Sequence, residues 1–256
     1  MSVKQSEGPF IAIICDGNRR DEMQRIEREE QIKKMKAHLT AEELYQAYDR
    51  GAQQIKHIVE TARDANIGII ALWGLSDKNI VERSQSELRV LYSIFDTFLL
   101  ELEEEWLDKP ENLDVRLVHM GRRDRLQLQA NHVLQRMDRI AVRTRERTGM
   151  VVSVCLDYGG DEEKERAKKI WREKKFEGEL EDCLDLPMQG VPYRKLDLRI
   201  RTGEDTRVKH VNNFLGAYQG DETREVFREE MLPQYTPALF LEDLALFQKE
   251  EKRRGK

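Results

Sequence analysis

The chain has 256 residues, with 44 Lys+Arg against 49 Asp+Glu for a formal net charge of −5; 39% of residues are hydrophobic and 36% are charged. That length and apolar content suit one large domain spanning residues 1–256, while a charge content above the usual ~25% means a heavily solvated surface. Three cysteines make no disulfide framework, no apolar run approaches the ~20 residues of a membrane span, and the opening MSVKQSEGPF lacks the apolar stretch of a signal peptide, so the expectation is a cytoplasmic protein and secreted, membrane-spanning and disordered classes are set aside.

The first apolar run, 9–15, reads as a strand. The stretch 21–37 is almost all charge, with Met23, Ile26, Ile32 and Met35 as a thin apolar stripe, and predicts an exposed helix, an inserted flap over 21–40. Thr40-Ala-Glu-Glu43 matches a capping box and starts a helix. A second strand is predicted over 68–75. Ser84-Gln-Ser-Glu87, a second capping box, opens a long helix carrying Leu88, Leu91, Tyr92, Phe95, Phe98, Leu99 and Leu102, ended by Lys109-Pro110. Strands follow over 114–120, 150–156 and 196–200; the charged region 164–188 starts helical and turns acidic and loop-like. The strand runs are continuously apolar, as expected of strands covered on both faces. Alternation with helices implies a mostly parallel sheet between helical layers.

The polar residues that interrupt this pattern lie at the carboxyl ends of the predicted strands: Asp16-Gly17-Asn18-Arg19-Arg20, Ser76-Asp77-Lys78-Asn79, Gly121-Arg122-Arg123, Asp157-Tyr158-Gly159-Gly160 and Arg201-Thr202-Gly203. In an open parallel sheet that edge binds ligands. One carboxylate among glycine, asparagine and several arginines suits a phosphorylated ligand held with a divalent cation, since Arg grips phosphate oxygens bidentately and Asp is a hard ligand for Mg²⁺. No GxGxxG follows a strand and no GxxxxGK[ST] occurs, which argues against dinucleotide and P-loop sites. No GxSxG signals a nucleophilic triad, and the negative net charge without a clean basic stripe argues against nucleic acid. His57 and His119 read as packing residues and Cys15 as a small core residue.

Together these blocks resemble the cis-prenyltransferase (undecaprenyl diphosphate synthase) family. IAIICDGNRR (11–20), LWGLSDKNIVERSQSEL (72–88), VRLVHMGRRDRL (115–126), VSVCLDYGGDEE (152–163) and LDLRIRTGEDTRV…NNFL (196–215) are similar to five family motifs in order and spacing. The resemblance implies a homodimeric α/β fold with a six-stranded, mostly parallel sheet. It implies a Mg²⁺-dependent condensation of isopentenyl diphosphate with an allylic diphosphate that forms a cis double bond, with membrane contact only through the lipid product. By position, Asp16 is the metal-binding aspartate that helps the allylic diphosphate depart, and Gly17, Asn18, Arg19 and Arg20 cradle that diphosphate. Asn79, with Ser76 beside it, matches the asparagine assigned to the proton-acceptor step. Arg83, Arg201 and Arg207 match the arginines that hold isopentenyl diphosphate, with Lys209 a further candidate and Glu82 competing with Arg83 for its aligned place. Glu225, near Asp221 and Glu222, is the candidate for the family's second metal-binding carboxylate. Arg253 and Gly255 match an RxG tail that in some members crosses the dimer interface.

The sequence departs from the family pattern chiefly on the allylic side: Tyr48 stands for a histidine, Leu44 for an arginine, Asp21 for a tryptophan, Lys78 for a glutamate, Asp157 for an asparagine and Asp161 for an arginine. These changes put allylic substrate choice in question, and leave a non-catalytic or partner-dependent subunit as the alternative to an enzyme. Phe95, Phe98 and Trp73 are candidates to floor the hydrophobic tunnel. An unusual coupling of two short prenyl diphosphates is also open.

Overall fold

The structure, a computed structural model, describes residues 7–30, 39–173, 177–203 and 210–253. Its centre is a six-stranded sheet of order β3-β4-β2-β1-β5-β6 in which every pairing is parallel. The strands are β1 (Phe10–Ile14), β2 (Ile69–Ser76), β3 (Arg116–Met120), β4 (Val151–Tyr158), β5 (Leu196–Arg201) and β6 (Gln219–Phe227). Five of them fall within two residues of the apolar runs read from the sequence. The sixth, QGDETREVF, is an edge strand paired only to β5 and partly exposed along its length, so it needs no apolar run; the resemblance implied it, and the hydrophobic pattern did not.

Strands β1, β3 and β4 are buried along their whole length, and their alternate side chains feed two cores. Ile11 and Ile13 join a large cluster with Ile55, Ile58, Leu88, Leu91, Leu134, Ile140 and Phe240, supplied by α2 (Ala41–Asp64), α4 (Gln85–Glu101), α5 (Arg123–Thr144) and α8 (Pro237–Arg253). Phe10, Ala12 and Ile14 join a smaller cluster with Ala167 of α6 (Gly160–Glu173) and the Phe214–Tyr218 turn. Both capping boxes form: Thr40 accepts from the Glu43 amide and Ser84 from the Glu87 amide.

Helix α1 (Asn18–Glu30) covers the first part of the charged stretch, and its first turn corrects the expectation of a solvated flap. Asp21 and Glu22 are buried. Arg50 of α2 donates to both, and Gln234 Nε2 donates to Asp21 Oδ1 at 2.7 Å. Burial alone would raise the Glu22 pKa, but hydrogen bonds from Arg25 and Arg50 hold it below the usual carboxylate range. Asp21 therefore pins α1 to the body of the fold where the family carries tryptophan. The rest of the expected flap, 31–38, lies outside the described residues. Among the described residues no helix is long and apolar enough to cross a membrane.

Strand order reverses at β1: β2 lies on one side of it and β5 on the other. Loops leaving neighbouring strands at such a switch point run in opposite directions and leave a crevice at the carboxyl edge. The residue immediately beyond β1 and Cys15 in that crevice is Asp16.

Candidate active site

The Asp16 turn is locked by backbone bonds from two other elements. Its amide donates to Thr202 Oγ1 at 3.0 Å, the Thr202 hydroxyl donates back to the Asp16 carbonyl at 2.8 Å, and the Leu232 amide donates to the same carbonyl at 3.0 Å. The carboxylate accepts from the Gly17 amide through Oδ1 at 2.7 Å. It also faces Arg20 at 3.3 Å and Arg201 at 3.1 Å. Gly17 has φ +102°, and a Cβ there would lie 2.6 Å from Met231 Cβ, so the turn demands glycine on both conformational and steric grounds. Helix α1 then starts at Asn18 beside the crevice, and the first turn of a helix, with its free amides, is a favourable environment for an anion.

Above this turn is a polar cavity of about 370 Å³ lined by Asp16, Gly17, Asn18, Arg19, Arg20, Tyr48, Trp73, Gly74, Ser76, Asn79, Arg83, Arg201 and Asn212. Four arginines against one carboxylate give it a local positive excess in a chain of net charge −5, and clefts lined by one sign of charge concentrate counter-ions. A second, almost wholly apolar cavity of about 80 Å³ lies against α2 and α4, lined by Ile55, Leu72, Leu91, Phe95, Phe98 and Leu232 among others. Cys15, Asn18, Tyr48 and Gly74 line both, so they form the neck between them. Gly51 of α2 leaves the space for Asn18 there: a Cβ at 51 would lie 2.1 Å from Asn18 Oδ1. Asn18 Oδ1 is buried with no hydrogen-bond partner among the described residues.

The two-cavity geometry separates the sequence candidates. Asp16, Gly17, Asn18, Arg19, Arg20, Ser76, Asn79, Arg83 and Arg201 all line the polar cavity. Ser76 Oγ caps α3 (Asp77–Glu82), accepting from the Asn79 backbone amide at 3.0 Å, and both residues line the cavity. Arg83, and not Glu82, lines that space; Glu82 is exposed. Arg207, Lys209 and Gly255 lie outside the described residues, as does the side chain of Arg253, the last residue of α8. Glu225 is not brought to Asp16 within one chain. It pairs with the fully buried Arg199, on β6, two strands from β1 and level with Ala12 through the registers Ala12↔Arg199 and Arg199↔Glu225. That is four residues back from Asp16, roughly 13 Å along the strand direction.

Trp73 also departs from expectation. It stacks on Phe214 with ring centroids 4.6 Å apart, donates to the Tyr158 carbonyl at 3.1 Å, and lines the polar cavity instead of the apolar one. Phe95 and Phe98 do line the apolar cavity. Cys15 has its thiol pushed up to about 12 by burial and by the Asp16 charge, so it is no nucleophile near neutral pH. Buried His119 is pushed down to about 4 by desolvation and reads as structural, whereas His57 is exposed, which corrects its reading as a packing residue. Asp157 lies at φ +55° with its carboxylate gripped by Arg125, and Asp161 accepts from Asn213; neither lines either cavity. Asn212, in a left-handed turn at φ +44°, lines the polar cavity; it opens the NNFL block quoted from the sequence, where it was given no role.

A family model for putative undecaprenyl diphosphate synthases matches residues 14–255. The chain belongs to this prenyltransferase family, and it is a prenyl-transferring enzyme by kind. It is 26% identical over 254 residues to a tritrans,polycis-undecaprenyl-diphosphate synthase (geranylgeranyl-diphosphate specific) of Methanocaldococcus jannaschii, covering 96% of this chain and 82% of the relative. It is 28% identical over 258 residues to an isoprenyl transferase of Chlamydia caviae, covering 98% and 94%. Among solved structures, lavandulyl diphosphate synthase from Lavandula x intermedia, in complex with dimethylallyl diphosphate, superposes with a TM-score of 0.73 at 19% identity over 93% of each chain. A probable undecaprenyl diphosphate synthase from Campylobacter jejuni gives 0.67 at 23% identity over 98% and 99%. At those identities the two structures share the fold.

Mg²⁺ fits the donors present in one particular way. Among the described residues no three His, Cys, Asp or Glu side chains gather to hold a metal, whereas Asp16 offers a hard, partly exposed carboxylate in a cavity sized for a phosphorylated ligand. Mg²⁺ is commonly held by one or two carboxylates completed by substrate phosphates and water; Asp16, paired here with Arg20 and Arg201, is the residue that would hold it.

Proposed function

We propose that the enzyme condenses isopentenyl diphosphate with an allylic diphosphate, in a Mg²⁺-dependent reaction activated at Asp16, to give a cis-polyprenyl diphosphate. What supports this reading is the pairing of a cationic cavity with an apolar one through a neck: the head of an allylic diphosphate belongs in the first and its tail in the second, which puts the carbon between them at Cys15, Asn18, Tyr48 and Gly74. When the allylic C–O bond breaks, its electrons leave on the diphosphate. The α1 amides, Arg19 and Arg20 then face the charge that develops, and preorganised donors at such a point act more strongly in the transition state than in the ground state. Mg²⁺ held at Asp16 would neutralise part of the diphosphate charge. On this reading Arg83 and Arg201 hold the second diphosphate, and Asn79 assists the step that forms the new double bond by orienting the acceptor of the lost proton, which passes to water or to the departed diphosphate. The apolar lining beyond the neck keeps water from the allylic cation.

On this reading the protein works as a cytoplasmic homodimer, its Arg253–Gly255 tail completing the partner's diphosphate site, and meets the membrane through its lipid product. The test is purified protein with Mg²⁺, labelled isopentenyl diphosphate and allylic diphosphates of increasing length, with Asp16→Ala as control. Label in a butanol-extractable polyprenyl product, lost in the variant, is the expected result. A folded protein that binds isopentenyl diphosphate yet incorporates no label with any primer would overturn the stand-alone enzyme.

A further inference from the structure

At the rim of the neck, Tyr48 makes a contact with Arg83 that motif comparison does not assign. Tyr48, on the inner face of α2, accepts a hydrogen bond through its hydroxyl from Arg83 Nη1, and the Arg83 guanidinium carbon stands 5.7 Å from the Tyr48 ring centroid. Arg83 follows α3 directly as its C-cap, so this contact ties the end of α3 to α2 across 35 positions of sequence. Both residues line the polar cavity, and Tyr48 lines the apolar one as well. Arg83 Nε is buried and has no hydrogen-bond partner among the described residues.

We propose that Tyr48 is a positioning residue for Arg83: its hydroxyl and ring hold the guanidinium at the rim of the polar cavity, ready to meet a diphosphate, while the body of the ring walls the neck. The inference rests on the reading of this cavity as a diphosphate site. An arginine on a free stem loses considerable rotamer freedom when it closes on an anion. Fixing it beforehand removes part of that loss and adds affinity without a new contact to the ligand. A phenol suits the place, since its oxygen accepts from the guanidinium while its apolar body faces the neck. The orphaned Nε gives the pair a further donor to satisfy, and a buried unsatisfied donor is costly until a ligand oxygen reaches it.

Tyr48→Phe keeps the ring and removes the acceptor. The expected result is a rise of about tenfold in the KM for isopentenyl diphosphate, about 1.4 kcal/mol, just under the lower end of what one hydrogen bond to a charged group contributes. The expected change in kcat is smaller than the change in KM, and the unfolding midpoint stays within a few degrees of wild type. Because Tyr48 acts through Arg83, the same substitution in an Arg83→Ala background is expected to change KM no further, a coupling that a merely structural role would not produce. Additive effects in the double variant, or an unchanged KM in the single one, overturn the proposal. Binding of inorganic pyrophosphate with Mg²⁺, measured calorimetrically on the same proteins, separates the two ways of failing. Wild type that binds no pyrophosphate sinks the diphosphate reading of the cavity and the Tyr48 proposal with it. Wild type and Tyr48→Phe binding pyrophosphate and isopentenyl diphosphate equally well sinks the Tyr48 proposal alone.

Discussion

Phe98 stands with Leu72 and Val154 between two apolar cavities, and removing its ring should lengthen the product of the proposed reaction. The cavity beyond the neck holds about 80 Å³. Behind it lies a second apolar cavity of about 20 Å³ that ends against Leu102 and Trp106. Leu72, Phe98 and Val154 border both. With 10–15 Å³ per water-sized group as a rough measure, the first cavity takes about six such groups, close to the five carbons of one isoprene unit, and the second takes one or two. If the proposed reaction elongates a chain here, that chain meets Phe98 early. In Phe98→Ala the two cavities and the ring's own volume merge, and the expected product is longer by at least one isoprene unit with the same primer. The substitution carries a structural penalty: a Phe→Ala change in a core costs about 3–5 kcal/mol. Phe98 is only half-buried and already borders open space, which places the loss near the lower end. For a domain of this size that is about 6–12 °C in Tm. Mass spectrometry of dephosphorylated products reads the chain length, and thermal unfolding reads the penalty; Leu128→Ala, at an 88% exposed position on α5, should move neither. A folded Phe98→Ala enzyme with an unchanged product distribution would refute the partition.

Asp16→Ala should lower the condensation rate by on the order of 10²–10³-fold, the usual loss when one preorganised electrostatic element at a reacting centre is removed. Its unfolding midpoint should stay within a few degrees because the carboxylate is partly exposed; undiminished initial rates would count against its role. Glu225→Gln should destabilise the fold, by about 1–3 kcal/mol after allowing for the exposure of Glu225, since it weakens the partner of the buried Arg199. The Mg²⁺ concentration dependence of the rate should not move; if it shifts, Glu225 is a metal ligand after all. The third concerns Glu163, whose oxygens accept from Tyr158, Tyr218 and the Asp185 amide; burial, and next the Asp185 charge, push it from 4.5 up to about 7. Between those two values the folded chain keeps a proton the unfolded chain has lost, so this group's contribution to stability falls as pH rises from about 4.5 to about 7 and is flat above. Glu163→Gln, which stays neutral, should gain stability relative to wild type across that window, levelling off at about 3 kcal/mol. A wild-type-minus-variant difference in denaturant midpoints that does not change with pH would refute it.

How far the sequence carried depends on whether a feature is local. Strands β1 to β5 were legible because burial on both faces demands unbroken apolar runs, and Asp16 because it follows one of them at a strand-to-helix turn that only Gly17 permits. Strand β6 was not, because an edge strand needs apolar residues on neither face in full and carries Asp221, Glu222, Arg224 and Glu225. Charge misled in the same way at Asp21 and Glu22: in composition they belong to a solvated stretch, yet Arg50 and Gln234 draw them inside, and partners 28 and 213 positions away leave no local signature. Tyr48 is the sharpest case. In the sequence it reads as a lost histidine and hence as a weakened allylic site. In the fold the same position is the wall shared by the two cavities, and its chemistry is set by Arg83, a residue at the end of another helix. The substitution exchanges a group that could carry charge for one that aims a charge carried elsewhere. An altered motif residue at such a neck therefore need not mean an inactive site, because the cationic work can remain with Arg19, Arg20, Arg83 and Arg201 while the neck residue governs how one of them is presented.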